Sequence, residues 1–270
     1  MEGVREPSGF AISRTDAYSY GVTIGWVGRV LRQAVSLRDV GAMRLPLDVA
    51  GFEAVLPLLT HGAIEGSAVP VVDRILALRL ESAFAGTKSK HYVADARRLA
   101  GRSEIGIRSV DVRLRTENLL TGRFVPPPAS QVDAALVTAL RCIDSALALH
   151  RGDVGKSAVI ALVGSQILLT IHPFRDGNGR TARMFLAAKV LRHVGPAPTA
   201  LLGMLLMQRS GAHQYHQAAW AFRAGDAEPL VALFTESERL AAERMVRGAG
   251  ERLAPAALLE HCWRELRALR

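Results

Sequence analysis

The stretch "HPFRDGNGRTAR", residues 172–183, decides how this sequence is interpreted. It combines a histidine, a carboxylate, two glycines, an asparagine and three arginines, and its one large apolar side chain is a phenylalanine. A helix or strand packed in a core does not favour this mixture. Glycine-rich turns that lead into a helix bind anions, because their backbone N–H groups point at the ligand. The stretch therefore predicts a phosphate site.

The spacing within the stretch gives several side chains a chemical task. Asp176 can hold Mg²⁺ against phosphate oxygens. Arg180 and Arg183 project from one face of the following helix, and both can bind phosphate. His172 ends an apolar helix, and a histidine exchanges protons near neutral pH, as a general base must. These groups predict attack by a hydroxyl on a nucleoside triphosphate. An ordinary glycine turn capped by His172 is the alternative.

The same stretch resembles the signature of the Fic family, H-P-F-x-D/E-G-N-G-R-x-x-R, at every defined position. The resemblance extends over residues 53–243: "RFVPPP" is similar to the segment after the family's flap hairpin, and "HQYHQAAWAFRAGDAEPLVAL" to its helix pair beside adenine. It implies a protein adenylyltransferase, which moves AMP from ATP to a Ser, Thr or Tyr hydroxyl of a target protein and releases pyrophosphate. The target would dock on the flap hairpin.

The resemblance also implies a role for each motif residue. His172 would take the proton from the target hydroxyl, and Asp176 would hold Mg²⁺ against the α- and β-phosphates. The asparagine and the glycine backbone would form an anion hole, the arginines would bind the β- and γ-phosphates, and the phenylalanine would anchor the loop in the core. The nucleotide-binding set is Phe174, Gly177, Asn178, Gly179, Arg180, Arg183 and Tyr215, although Tyr215 could equally be a core residue instead of an adenine contact.

Three alternatives to AMP transfer remain open at this point. The family's phosphotransferase branch carries Lys where Gly179 stands, so Gly179 favours AMP transfer over phosphoryl transfer. Members that transfer UMP or phosphocholine keep a similar signature. A non-enzymatic nucleotide sensor or DNA-binding regulator on the same scaffold is the third alternative, suggested by the net charge of +9.

A second motif predicts self-inhibition. "THGAIEG", residues 60–66, resembles the family's inhibitory helix motif, S/T-x-x-x-E-G/N, with His61 at the Ser/Thr position and Thr60 one residue earlier. The resemblance implies that Glu65 pairs with Arg183 and displaces the γ-phosphate. Such a carboxylate competes directly for a phosphate-binding arginine. The alternative is that Glu65 is a solvated charge at the end of a helix.

The remaining patterning predicts an all-α fold with one small β-hairpin, the flap, over residues 105–125, where apolar and polar residues alternate. Prolines 126–128 end this hairpin, and Ser130 is a candidate N-cap for the next helix. Apolar residues at helical spacing predict helices over 23–40, 47–66, 69–84, 91–101, 130–150, 156–171, 180–195, 209–224, 228–246 and 255–269. We expect an N-terminal arm and helix (1–45), a Fic domain with the inhibitory segment (46–250) and a C-terminal helix (251–270).

Composition excludes several classes of function. The 34 Lys and Arg residues outnumber 25 Asp and Glu, but they are dispersed, so nucleic acid is not the expected partner. Cys142 and Cys262 lie far apart and predict neither a disulfide framework nor a zinc site. No secretion signal or membrane span is evident, so a cytoplasmic protein is expected. The oligomeric state cannot be predicted.

Overall fold

The structure, a computed structural model, describes residues 18–19, 22–37, 47–60, 108–112, 114–115, 123–174, 178–209 and 212–250. These residues are mostly helical, which confirms the predicted all-α class. The predicted helices over 69–84, 91–101 and 255–269 lie outside the described residues. The helices are α1 (Ile24–Leu37), α2 (Val49–Thr60), α3 (Val132–Leu149), α4 (Val154–Ile171), α5 (Asn178–His193), α6 (Pro198–Arg209), α7 (Ala212–Ala224) and α8 (Glu228–Gly250).

Helix α4 forms the centre of the core. Its sequence is apolar on all sides, and α1, α3 and α5 pack against it. By length and composition alone α4 could cross a membrane, but 83% of it is buried inside the protein, as in the core helix of a globular domain. The burial agrees with the sequence-based prediction of a buried helix directly before the motif. A helix enclosed by other helices is a rigid support for the loop that follows it.

The close approach of α3, α4 and α5 depends on a glycine. A Cβ atom placed on Gly164 would lie 2.9 Å from Phe185 of α5 and 3.1 Å from Ile143 of α3. Contacts this short are not tolerated in a packed interior, so a larger residue would push the helices apart. Gly164 thereby sets the distance between the two helices that the motif joins.

Aspartate residues define the starts of two helices. The Asp153 side chain accepts a hydrogen bond of 2.9 Å from the backbone N–H of Lys156, which caps α4. Helix α2 begins directly after Asp48, whose backbone carbonyl accepts from the Phe52 N–H at 2.9 Å, and it ends at Thr60. Helix α2 packs against α5 and α6, so its C-terminal end is held beside the motif helix.

A three-stranded sheet contains the predicted flap hairpin. Strands β2 (Leu114–Arg115) and β3 (Arg123–Val125) pair in antiparallel register, with Leu114 opposite Phe124. Strand β3 ends immediately before Pro126, as predicted, because proline cannot donate to a sheet. A third strand, β1 (Tyr18–Ser19), pairs in parallel with the other side of β3. The sequence analysis assigned no strand to this N-terminal arm.

Two details of the sequence analysis are wrong in this region. Residues 108–112 form bends and not the predicted strand, because the backbone N–H of Arg108 bonds to the carbonyl of Pro173 instead of to a sheet partner. Ser130 is not the N-cap of α3. It lies within a short 3₁₀ turn, Ala129–Gln131, whose first N–H donates to the Asp111 carboxylate at 2.7 Å. The cap position itself is Gln131, without a side-chain hydrogen bond.

The C-terminal half adds a helix that the sequence analysis missed. Helix α6 covers Pro198–Arg209, whereas the sequence analysis began the next helix only at residue 209. Helices α6 and α8 touch so closely that a Cβ atom on Gly203 would lie 2.8 Å from the Cα atom of Glu238. Almost every residue of α6 is buried, so the helix lacks the polar face that reveals a helix in a sequence.

Helix α1 covers the core from the N-terminal side. It packs against α3, α4 and α8, and it buries Trp26, Val27, Val30 and Leu31. The Trp26 indole N–H donates to the carbonyl of Arg223 at 3.1 Å. The predicted domain boundary at residue 45 stays a prediction, as does the separate C-terminal helix.

Candidate active site

The motif joins the central helix α4 to the motif helix α5. His172 occupies the C-terminal cap of α4 with φ 50° and ψ 60°, and no other non-glycine residue in the described ranges has a positive φ. For an L-residue with a side chain this conformation costs about 1–2 kcal/mol. Such conformations persist only where the surroundings enforce them, and they cluster at functional sites. His172 is half-buried, and its Nδ1 atom lies away from solvent.

Asn178 closes the motif loop with two hydrogen bonds. Its Oδ1 atom accepts from the backbone N–H of Phe174 at 2.9 Å, and its Nδ2 donates to the Phe174 carbonyl at 2.8 Å. Both residues are buried, with Asn178 5% exposed and Phe174 2% exposed. Phe174 belongs to the core, as the sequence predicts. Phe174 and Asn178 are therefore held directly to each other, and we call this pair of bonds the Phe174–Asn178 clasp.

The clasp also bears on how Asn178 could bind an anion. Its side-chain amide donates one of its two N–H groups to Phe174, so the second amide N–H and the backbone N–H at the first position of α5 can still serve a ligand. The first backbone N–H groups of a helix have no partner within the helix, and the helix dipole is positive there. Asn178 can therefore contribute to anion binding through its main chain, while its side chain holds Phe174 to the start of α5.

Arg183 connects the motif helix to α2. Its Nε atom donates to the carbonyl of Leu59, in the last turn of α2, at 2.6 Å. The guanidinium also lies over the first turn of α5, because its Nη1 is 3.4 Å from the position that a Cβ atom on Gly179 would take. Arg183 and Gly179 are thus brought together at the N-terminal end of the motif helix. The last carbonyls of a helix lack partners and carry partial negative charge, so α2 presents an acceptor to this arginine.

Tyr215 of α7 lies behind the site and contacts α4. Its hydroxyl and the side-chain amide of Gln166 exchange hydrogen bonds at 3.1 and 3.3 Å. Burial raises the pKa of Tyr215, and the nearby charges of Arg223 and Arg183 oppose that shift. The side chain is half-buried and packs against the core, so its hydroxyl holds α7 to α4. A contact with adenine stays a prediction.

Arg108 is a residue near the site that the sequence analysis missed. Its guanidinium is buried and donates to the carbonyl of His172 at 2.9 Å. The only signal in the sequence is an arginine in an alternating segment, which does not distinguish it from the many surface arginines.

Several predicted site residues cannot be located. Asp176, Gly177 and Glu65 lie outside the described residues, and so does the side chain of Arg180. Their roles stay predictions. The described residues bring His172, Phe174, Asn178, Gly179 and Arg183 into one connection between α4 and α5. The Phe174–Asn178 clasp thus holds the positive end of helix α5, where a phosphate can bind, close in the chain to His172.

The chain is similar to several known proteins. The model of the Fic/DOC family matches residues 91–188, which include the motif. Protein adenylyltransferase fic-1 of Caenorhabditis elegans is 24% identical over 134 residues, which are 50% of this chain and 24% of that protein. A Fic domain-containing signaling protein of Bacteroides thetaiotaomicron covers 80% of this chain and 95% of its own, with 15% identity and a TM-score of 0.41.

The helix–loop–helix unit and its motif define a helical domain of the Fic type. Residues 91–188 of the chain belong to the Fic/DOC family, as the match to the family model shows. The chain spans only about a quarter of the C. elegans relative, 24% of its length.

Proposed function

We propose that this Fic-family protein is a self-inhibited adenylyltransferase, which transfers AMP from ATP to a hydroxyl group of a target protein. The observation that carries the proposal is the Phe174–Asn178 clasp, which joins the segment after His172 to the first residue of α5. A proton acceptor therefore lies at the end of α4, and the N-terminus of α5 is held to the segment that follows it. The name of the C. elegans relative, which is a protein adenylyltransferase, supports the same reaction.

The proposed reaction uses His172 as general base. Because Nδ1 is buried, Nε2 is the ring nitrogen that takes the proton from the target hydroxyl. The hydroxyl oxygen forms a bond to the α-phosphorus of ATP, and the bond from that phosphorus to the bridging oxygen breaks. Pyrophosphate leaves with the electron pair, and AMP remains on the target as a phosphodiester. Atoms and charges balance without a further co-reactant.

The phosphates of ATP need cationic and N–H donors placed before the reaction, since such transfers depend mainly on positioning and charge stabilisation. The first N–H groups of α5 and the guanidinium of Arg183 are the described donors at this place. Arg180 would add a second guanidinium. Asp176 is the residue that would hold Mg²⁺, because this ion prefers hard oxygen ligands, and the ion would neutralise phosphate charge.

The contact between Arg183 and α2 supports self-inhibition. Arg183 donates to the Leu59 carbonyl, and α2 ends at Thr60, five residues before Glu65. The segment that carries the predicted inhibitory glutamate therefore starts from a point in direct contact with the arginine that it is proposed to occupy. A γ-phosphate that binds Arg183 has to displace this end of α2, so ATP binding and release of the inhibitory segment compete.

The flap is the proposed docking surface for the target. An extended segment can add to the exposed edge of a sheet and so place its hydroxyl beside His172. Strand β3 is paired on both sides, with β1 and with β2. Among the described strands the free edges are therefore those of β1 and β2, and the edge of β2 belongs to the predicted hairpin. We propose β2 as the strand that receives the target.

Labelled ATP with purified protein tests the proposal. We compare wild type, Glu65→Gly, His172→Ala and the double variant, with α- or γ-labelled ATP. Transfer of α-label should appear in Glu65→Gly and disappear when His172→Ala is added. No transfer by Glu65→Gly, together with no ATP binding by calorimetry, would refute the proposed function.

The same experiment separates the alternatives. Transfer of the γ-label instead of the α-label would indicate a phosphoryl transferase, and the mass added to the product distinguishes AMP from UMP. Binding of ATP without transfer of either label would favour a nucleotide sensor. Retention on DNA that falls steeply with salt would favour a DNA-binding regulator.

A further inference from the structure

A buried cation lies beside the end of α4 and is not part of the motif. The side chain of Arg108 has 0% exposure. Removal from water lowers the pKa of Arg108, and the charge of Asp111 acts in the opposite direction. Buried arginines are rare unless their donors are satisfied, because the loss of hydration is costly. The position of Arg108 therefore requires an explanation.

The guanidinium is satisfied almost entirely by backbone carbonyls. Its Nε donates to His172 at 2.9 Å, Nη1 to Val110 at 3.2 Å, and Nη2 to Pro127 and, at 3.5 Å, to Ile171. Among the described residues, the nearest carboxylate oxygen belongs to the exposed side chain of Asp111 and is 4.0 Å away. Arg108 thus binds main-chain groups and does not serve mainly as one half of an ion pair.

These contacts converge on the residue that the proposed reaction uses as base. The backbone N–H of Arg108 donates to the Pro173 carbonyl at 2.9 Å. Arg108 therefore contacts the carbonyls of three consecutive residues, 171–173, at the point where α4 ends. A cation at the C-terminal end of a helix is favourable, because the last carbonyls carry partial negative charge. The bond to the His172 carbonyl fixes the peptide plane that follows His172.

That peptide plane belongs to the one left-handed non-glycine residue of the described ranges. A hydrogen bond that holds the His172 carbonyl in place offsets the free energy that this conformation costs, about 1–2 kcal/mol. The same guanidinium bonds to Pro127, which follows strand β3 of the flap, and to Val110, which precedes strand β2. One side chain therefore connects both ends of the flap segment to the backbone of the catalytic histidine.

We propose that Arg108 is a positioning residue for His172. It holds the backbone of His172 in the left-handed conformation, which orients the imidazole, and it keeps the flap in place relative to that ring. The proposal rests on the proposed function for its catalytic consequence. Arg108 does not touch the nucleotide in this assignment. Its loss should misplace the base and the docked hydroxyl relative to each other, and displacements of about 1 Å can lower a rate about 100-fold.

The test compares Arg108→Met and Arg108→Lys with Arg141→Met, which removes an exposed arginine from α3. Met keeps the length of the side chain without its donors, and Lys keeps the charge but not the planar fork. Circular dichroism and urea unfolding show whether each variant is folded. If Arg108→Met does not fold, Arg108→Lys takes its place in the measurements below. All variants are also made in the Glu65→Gly background for kinetics.

The first readout is spectroscopic and needs no activity. The protein has eight histidines, and His172 is assigned by comparing ¹⁵N-histidine spectra of wild type and His172→Ala. We expect the His172 ring signals to shift or split in a folded Arg108 variant and to stay unchanged in Arg141→Met. Unchanged His172 signals in a folded Arg108 variant would overturn the proposal.

The second readout separates positioning from binding. In the Glu65→Gly background we expect Arg108→Met to lower kcat about 10- to 100-fold, with the KM for ATP changed less than about threefold, and Arg108→Lys to recover part of the loss. A rise in KM with unchanged kcat would contradict a positioning role. If no variant transfers AMP but the His172 signals respond to Arg108, the proposed function fails and the structural part of the inference stands.

Discussion

The Phe174–Asn178 clasp leads to a quantitative prediction for Asn178→Ala. The substitution removes two hydrogen bonds, of 2.9 and 2.8 Å, from a site where both partners are nearly inaccessible to water. Each bond contributes about 1 kcal/mol net, and a buried backbone group that loses its partner costs about 1–3 kcal/mol. Partial access of water to the opened turn reduces the second figure. We expect the free energy of unfolding to fall by about 2–4 kcal/mol.

Asn178→Asp is the matched control, since it keeps the shape of the side chain. One carboxylate oxygen still accepts from the Phe174 N–H, but the other oxygen faces the Phe174 carbonyl and cannot donate to it. A negative charge at the first position of α5 is favourable with respect to the helix dipole. We therefore expect a smaller loss, about 1–2 kcal/mol, so that stability decreases in the order wild type, Asp, Ala.

Urea unfolding followed by circular dichroism and tryptophan fluorescence measures both variants at neutral pH. Calorimetric titration with ATP provides a second measurement, and we expect Asn178→Ala to bind ATP about tenfold more weakly, equivalent to about 1.4 kcal/mol, because the turn before α5 is released. The reasoning would be refuted by a loss of less than about 1 kcal/mol in Asn178→Ala. It would also be refuted if Asn178→Asp were less stable than Asn178→Ala.

Three further predictions concern the packing around α5 and α6. Lys189 is 2% exposed and bonds to Asp144 at 2.5 Å. Asp144→Ala should therefore lower the free energy of unfolding by about 2–3 kcal/mol, and adding Lys189→Met should recover most of this loss. Equal losses in the single and double variants would contradict this prediction. Burial, followed by nearby cations, lowers the pKa of His193, so the folded protein binds fewer protons than the unfolded chain and loses stability as pH falls below about 6.5. His193→Gln should therefore flatten the dependence of unfolding free energy on pH between about 7.5 and 5, and an unchanged slope would argue against it. Gly203→Ala should lower the free energy of unfolding by about 1–3 kcal/mol, because its Cβ would lie 2.8 Å from the α8 backbone. Gly28→Ala should be neutral or stabilising, because its Cβ would meet only a flexible arginine. Similar thermal midpoints for the two variants would contradict this difference.

The sequence predicted the parts of the fold that depend on local patterning. The central helix α4, the helix after the motif and the pairing of β2 with β3 follow from apolar runs, glycine and proline positions. The motif was recognisable because its functional groups are adjacent in the chain. The all-α class and membership of the Fic/DOC family are confirmed on this basis.

What the sequence did not predict depends on distant contacts. Arg108 bonds to carbonyls 63 and 64 residues away in the chain, and no local pattern marks those partners. Helix α6 is enclosed on all sides, so the polar face that would have indicated its period is missing. Ser130 is not the cap because it lies inside the 3₁₀ turn Ala129–Gln131, whose first N–H bonds to the Asp111 carboxylate, and α3 begins only after Gln131. The sequence also does not reveal that the side chain of Asn178 bonds to the backbone of Phe174.

The packing of α1 affects which fragment of the protein can be expressed as a folded unit. The match to the family model begins at residue 91 of this chain. Helix α1, which precedes that segment, nevertheless places a tryptophan and three aliphatic side chains against the central helices. Gln33 of α1 also accepts from the Ala227 N–H and donates to Asp226, which ties the turn between α7 and α8. A fragment limited to the matched segment would expose a broad apolar surface and lose the hydrogen bonds of Gln33. The part of the protein that can be expressed alone is therefore larger than the segment that the family model matches.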